Sequence, residues 1–284
     1  MAKKKKKRKK SSSSQRSSLK SLLLLLLIAG GLWYLIQHAD SSSVISEVTR
    51  SDRAHIEKAE LACTPAGRPS QILYRTGYTT SYNRQWKLPN WVSYELLRNE
   101  TQGEVSRSDR FVSDPDVKGT PADTRDYTRS GYDRGHMAPA GDMKWSEQAM
   151  DESFLLSNIC PQAPGLNRGR WKELEELVRE WAQRDSALLV ACGPIVSDSP
   201  RTIGHNRIAV PDRYYKVVAA PYVDPPRGIA FLFDNSDEQP RMRALAVTID
   251  SVEKLTGIDF FYNLPDSIET PIESKLWIET WNLN

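Results

Sequence analysis

Apolar positions along the chain fall into three regimes. Leu19 to Ile36 is apolar apart from Lys20, Ser21 and two glycines, and Ser21–Gln37 runs 17 residues without a charge. As a helix at about 1.5 Å per residue it is ~26 Å long, close to the ~30 Å hydrocarbon core, so the pattern predicts one transmembrane span over 21–37. Trp33 and Tyr34 would lie near its far interface. Residues 38–70 are Ser-rich and then helix-like through Val44, Ile45, Val48, Ile56, Ala59 and Leu61, which reads as a stalk. From about residue 71 the apolar clusters shorten and alternate with Gly, Pro, Asn and Asp. They predict strands at Ile72–Tyr74, Trp91–Leu97, Ala187–Cys192, Tyr214–Ala219, Ile229–Phe233 and Leu245–Ile249. Helical spacing appears over Ser146–Leu156, Arg168–Arg184 and Ser251–Leu255. Helices fall between strand groups without regular βαβ alternation, which predicts one mixed α+β domain over 71–284.

Charge sharpens this division. The chain has 39 Lys+Arg against 36 Asp+Glu, but residues 1–40 hold ten of the bases and a single acid, so residues 41–284 carry 29 bases and 35 acids. The basic tail at 1–20 followed by leucines fits an uncleaved signal anchor. A cleaved signal peptide fits less well, because Gln37-His38-Ala39 puts a bulky polar residue where a small one is needed. A nuclear localisation signal explains the lysines and leaves the leucines unexplained. By the positive-inside rule the tail stays cytoplasmic and the remainder is exported, making a single-pass membrane protein. An acidic body does not attract polyanions by bulk charge, so nucleic-acid contact requires a local basic patch. Three cysteines exclude a disulfide-dense scaffold, no CxxC pair suggests a zinc site, and an exported domain would allow one disulfide.

Two stretches carry chemistry. Asp133-Arg134-Gly135-His136-Met137-Ala138-Pro139 puts a carboxylate, a guanidinium and an imidazole within four positions. In extended backbone Arg134 and His136 share a face, and Gly135 would let a ligand approach between them. A fixed cation beside an imidazole suits phosphate chemistry, with neutral imidazole as base. The plainer reading is a surface turn with a satisfied histidine.

The second stretch runs from Asn158-Ile159-Cys160-Pro161-Gln162 to Asn167-Arg168-Gly169-Arg170-Trp171 and a charged helix. At 100° per residue, Asn167 and Glu175 fall on the same apolar stripe as Trp171, Leu174 and Val178. Lys172, Glu173, Glu176, Arg179 and Glu180 take the outer face. Asn167 as a helix cap and Glu175 as a salt-bridge partner would satisfy both polar groups. Alternatively, both offer oxygen to a hard divalent cation that keeps most of its waters.

DRGHMAP, NICPQ and NRGRWKELE, in this order and spacing, together resemble the DNA/RNA non-specific endonucleases of the ββα-metal type, over roughly Tyr74 to Trp281. The resemblance implies a ββα-metal nuclease fold with a central, mainly antiparallel sheet flanked by helices. It implies cleavage of DNA and RNA phosphodiesters with little sequence preference, leaving 5′-phosphate ends. By the same resemblance His136 matches the general base, Asn167 the direct ligand of a magnesium ion that manganese could replace, and Glu175 the acid holding that ion's waters. Asn158 matches the asparagine supporting the site, Arg134 the arginine of DRGH, and Arg107, with Arg110 close by, a phosphate-binding arginine. The rivals are a phosphodiesterase acting on another phosphoester and a catalytically silent nucleic-acid-binding protein of the same fold.

Other residues draw structural readings. Cys160 packs in its turn, His205 is solvated, Trp277 and Trp281 join the core, and Asp133 and Asp142 orient neighbours by hydrogen bonding.

Overall fold

The computed structural model describes residues 56–283, so the basic tail, the span expected at 21–37 and most of the stalk lie outside the described residues. Among the described residues no helix is long and apolar enough to cross a membrane. The elements that matter are, in chain order, β1 (Gln71–Tyr74), β2 (Thr79–Asn83), β3 (Leu88–Leu97), β4 (Asp133–His136), α1 (Glu147–Ser153), β5 (Ile159–Gln162), α2 (Lys172–Asp185), β6 (Ala187–Ile195), β7 (Arg213–Ala220), β8 (Arg227–Asp234), β9 (Ala246–Val247), α3 (Ile249–Thr256) and α4 (Asp266–Ser274).

Seven strands form one antiparallel sheet in the order β9-β8-β7-β6-β3-β2-β1. The period of two along a strand sorts its side chains between two cores. Leu188, Val190, Cys192, Tyr214 and Val218 meet Leu174, Val178, Trp181 and Ala182 of α2. Leu189, Ala191, Tyr215, Val217 and Ala219 meet Ile249 and Val252 of α3 and Ile272 of α4. Covering both faces makes β6 and β7 nearly continuous apolar runs, and each fully buried Leu or Val contributes roughly 1.5–3 kcal/mol. A separate antiparallel ribbon, β4 with β5, pairs Asp133 with Gln162 and His136 with Ile159.

The α+β expectation with its antiparallel sheet holds, and three details differ. The strand expected over Leu245–Ile249 is only Ala246–Val247, because Leu245 closes a helical turn and the Thr248 hydroxyl accepts from Ser251 N to cap α3. The helix expected from Arg168 begins as a turn at Pro164–Leu166 and is interrupted at Gly169, whose φ of −106° and ψ of −112° break the α pattern before α2. The folded body starts before residue 71: Ala62–Cys63 pairs with Asp259–Phe260, and Ala59 and Leu61 are buried. No disulfide forms, since Cys63 is exposed and Cys160 and Cys192 are buried as free thiols.

Candidate active site

His136 ends β4, and the backbone around it is held from several sides. Asn158 commits its whole amide to this support. Its Oδ1 accepts from Ala138 N, and its Nδ2 donates to Ala138 O and Ser153 O, all at 2.8 Å. Trp171 Nε1 donates to His136 O at 3.1 Å, tying the strand to the start of α2. Gly135 is required for a different reason from the one expected. A Cβ there would collide with the Gln162 side chain, so the open side of the glycine receives Gln162 and not a ligand.

The imidazole of His136 is caged by aromatic rings. Phe154 meets it edge-on at 4.8 Å between centroids, and Phe111 lies at 5.3 Å. Two cations flank the cage, Arg134 over Phe111 at 4.2 Å and Arg107 over Phe154 at 4.9 Å. Burial, then the positive charge of Arg107 and Arg134, pushes the histidine down to about 3, with Asp109 opposing. His136 is therefore a neutral imidazole at ordinary pH, and its Nε2 is buried without a protein hydrogen-bond partner. A neutral base beside two cations is the protonation state a water-activating group needs.

One depression of about 410 Å³ gathers His136, Arg107, Arg134, Asn167 and Glu175. Arg168, Lys172 and Arg179 add positive charge to its rim. Asn167 donates from Nδ2 to Asp133 Oδ2 at 3.0 Å, which leaves its carbonyl oxygen as the free donor atom. Burial pushes the Glu175 carboxyl up to about 7, against the pull of the buried Lys216 ammonium. Lys216, from the centre of β7, is 1% exposed and lies 4.4 Å from the Trp171 ring centroid. An amide oxygen and a half-buried carboxyl group in one depression fit a hard divalent cation, which takes oxygen ligands.

Most of the expected residues thus converge, with corrections. Of the two arginine candidates, Arg107 lines the depression and Arg110 does not. Asn158 also lies outside it and is fully buried, so it supports the site and touches no reacting group. Arg179 does not take the outer face of α2. One turn beyond Glu175, it donates to the buried Asp142 at 2.9 Å, and Tyr94 Oη donates to the same carboxylate at 2.8 Å. Asn167 is no helix N-cap; its side chain binds Asp133. Trp281 is in the core, whereas Trp277 is 39% exposed beneath Lys275. Helix arithmetic from Glu175 to Arg179 could have found that arginine. Phe111, Phe154 and Lys216 carry no local signal, since only the fold brings them together.

The sequence pattern of the DNA/RNA non-specific endonuclease family matches residues 63–267. The chain is 33% identical over 214 residues to the mitochondrial nuclease EXOG of Homo sapiens, covering 66% of this chain and 56% of the human protein. Its match to EXOG of Danio rerio likewise spans only 60% of that protein. Nuclease C1 of Cunninghamella echinulata var. echinulata is 36% identical, over 70% of this chain and 85% of that one. A chain in the crystal structure of the EndoG/EndoGI complex superposes with a TM-score of 0.65 at 32% identity, covering 73% of this chain and 93% of that chain.

Proposed function

Since the chain belongs to the DNA/RNA non-specific endonuclease family, we propose that it is a divalent-metal-dependent endonuclease that hydrolyses DNA and RNA phosphodiesters with little sequence preference. The observation that carries this reading is the convergence of a neutral, caged His136 with two arginines and the Asn167–Glu175 oxygen pair in one depression.

His136 takes a proton from water as that water attacks phosphorus. Arg107 and Arg134 hold the non-bridging oxygens and offset the charge that builds up on them in the transition state. Phe111 and Phe154 fix the imidazole plane and keep bulk water from its buried edge. Asn167 and Glu175 would hold the cation, magnesium by the family pattern, which when bound supplies Lewis-acid charge to the phosphate and the leaving 3′ oxygen. Contacts of this kind address phosphate and sugar, and so carry no sequence information.

The test is plasmid nicking by the full-length chain with magnesium, with EDTA, and beside His136→Ala. Cleavage that needs both the cation and His136 supports the reading. Full activity of His136→Ala would sink the mechanism, and activity confined to small phosphodiesters would favour the alternative substrate class. Residues 21–37 serve, in the same proposal, as a signal anchor with the tail cytoplasmic and the nuclease domain exported. Protease protection of the domain in spheroplasts or vesicles of known orientation tests that topology.

A further inference from the structure

A second hollow, of about 200 Å³, opens directly beside the catalytic depression and shares Arg134 with it. Thr124, Tyr127, Thr128, Tyr132 and Asp133 form its other sides. Tyr132 is held from outside: its hydroxyl accepts from Arg201 Nη2 at 2.9 Å. Arg201 opens a hairpin, Thr202–Ile203 with Ile208–Ala209, whose tip is docked on the turn that lines the hollow. Asn206 N and Nδ2 donate to the two carboxylate oxygens of Asp126 at 3.0 and 2.8 Å. Gly204, at φ +68°, packs so closely on Asp126 that a Cβ would collide with it. Hairpin and turn are therefore one wall.

That wall is basic. Arg129, Arg201 and Arg207 are exposed and form no ion pair among the described residues. A further hollow of about 670 Å³, lined in part by Ser106 and Ser108 on either side of Arg107, sets Glu104, Glu147 and Asp151 against Lys144. In a body whose bulk charge is acidic, the arginine-bearing hairpin and turn favour a polyanion and this hollow does not.

We propose that this hollow and hairpin are a nucleotide subsite, and that a single strand of nucleic acid leaves the catalytic depression over them. The inference rests on the nuclease reading and adds the path of the strand. The first nucleoside beyond Arg134 stacks its base on Tyr132, the threonine hydroxyls meet sugar and phosphate, and Arg201, Arg207 and Arg129 follow the backbone. Asp133 is already engaged by Asn167 and Arg168, so its carboxylate is not free to read base edges, in keeping with broad specificity.

The test is fluorescence anisotropy of the full-length chain with a labelled single-stranded oligonucleotide in EDTA, across a salt series. Tyr132→Ala should weaken binding about tenfold, within the 1–3 kcal/mol of one stacked base, while Tyr132→Phe keeps most of the affinity. The gap between Tyr132→Ala and wild type should vanish on an abasic strand. Arg201→Ala should lower the salt slope by about 0.7, one phosphate contact on a single strand. Lys144→Ala, in the acidic hollow, should leave it unchanged. Wild-type binding by both Tyr132→Ala and Arg201→Ala, or an equal loss with Lys144→Ala, overturns the subsite while the nuclease reading stands. A wild-type chain that neither binds nor cleaves nucleic acid overturns both. Arg201 is at the surface, so its variant keeps the inference falsifiable should Tyr132→Ala fail to fold.

Discussion

Asp133 Oδ2 accepts from Asn167 Nδ2 at 3.0 Å while the same carboxylate takes Arg168 in two bonds of 2.7 Å. One acid on β4 thereby fixes which way the Asn167 amide faces, and leaves its carbonyl oxygen unengaged by Asp133, as the proposed cation site requires. Hydrogen bonds to a ligand's far side commonly tune metal affinity by about 10–100-fold. Asp133→Ala should therefore raise the magnesium concentration for half-maximal cleavage by about 10-fold or more, with a smaller effect on the rate at saturating metal. Calorimetric titration of manganese into the two proteins checks it independently of activity, and equal affinities would remove Asp133 from this role.

The aromatic cage makes a pH prediction. His136 is held neutral by burial and by Arg107 and Arg134, down to about 3 from an ordinary 6.5. Between these values the unfolded chain binds the proton and the folded chain does not. Stability therefore rises with pH across this window: the contribution is complete above 6.5 and is lost as pH falls toward 3. His136→Ala should flatten the loss of stability between about pH 6.5 and 4 in urea melts, and should lower cleavage by about 10²–10⁴-fold at neutral pH. Imidazole ¹⁵N shifts of the wild type should stay those of the neutral ring at about pH 5.

Much of this was legible in the sequence, and the reason differs by level. Strands β6, β7 and β8 announce themselves because both faces are covered and their interiors are almost all apolar, Lys216 of β7 being the exception. β2 does not, since Thr79-Thr80-Ser81-Tyr82-Asn83 is buried through hydroxyl and amide bonding, as in Thr80 Oγ1 to Trp91 O at 3.2 Å. His136, Asn167 and Glu175 were legible because their spacing is local to two motifs. The outer face assigned to Arg179 failed because a helical wheel ranks residues by hydropathy and cannot see that Asp142 waits across the gap. That Arg107 and not Arg110 lines the depression is invisible in the sequence, because only the fold brings the Phe154 ring beneath Arg107.

The Asp142 cluster predicts a stability effect distinct from catalysis. Asp142 is fully buried, and burial raises its carboxyl while Arg179 and Tyr94 oppose that rise. Removing one partner of a buried ion pair leaves the other charge uncompensated and typically costs about 3–5 kcal/mol. Arg179→Met should therefore destabilise the fold by roughly 3 kcal/mol in urea unfolding at about pH 7. Arg179→Met combined with Asp142→Asn should recover part of that loss, because the stranded charge is gone. Additive losses in this double variant would mean that the pair is not coupled.

The opposite face of the sheet carries a group whose pH response has the reverse sign. Glu273 on α4 is pushed up to about 9 by burial and by its neighbours Glu253, Glu269, Asp250 and Asp259, and Glu253 is raised to about 7. A carboxyl whose folded value lies above its unfolded value keeps its proton in the fold after the unfolded chain has lost it. Between about 4.5 and 9 the folded state binds more protons, so stability falls as pH rises through that range. Glu273 is only half-buried, and solvent screening moderates the effect. Glu273→Gln, which keeps the shape of the protonated acid, should raise the melting temperature at about pH 8.5 and change it little at about pH 5. A melting-temperature gain of equal size at both pH values would show that packing, and not the shared negative charge of this cluster, sets the difference.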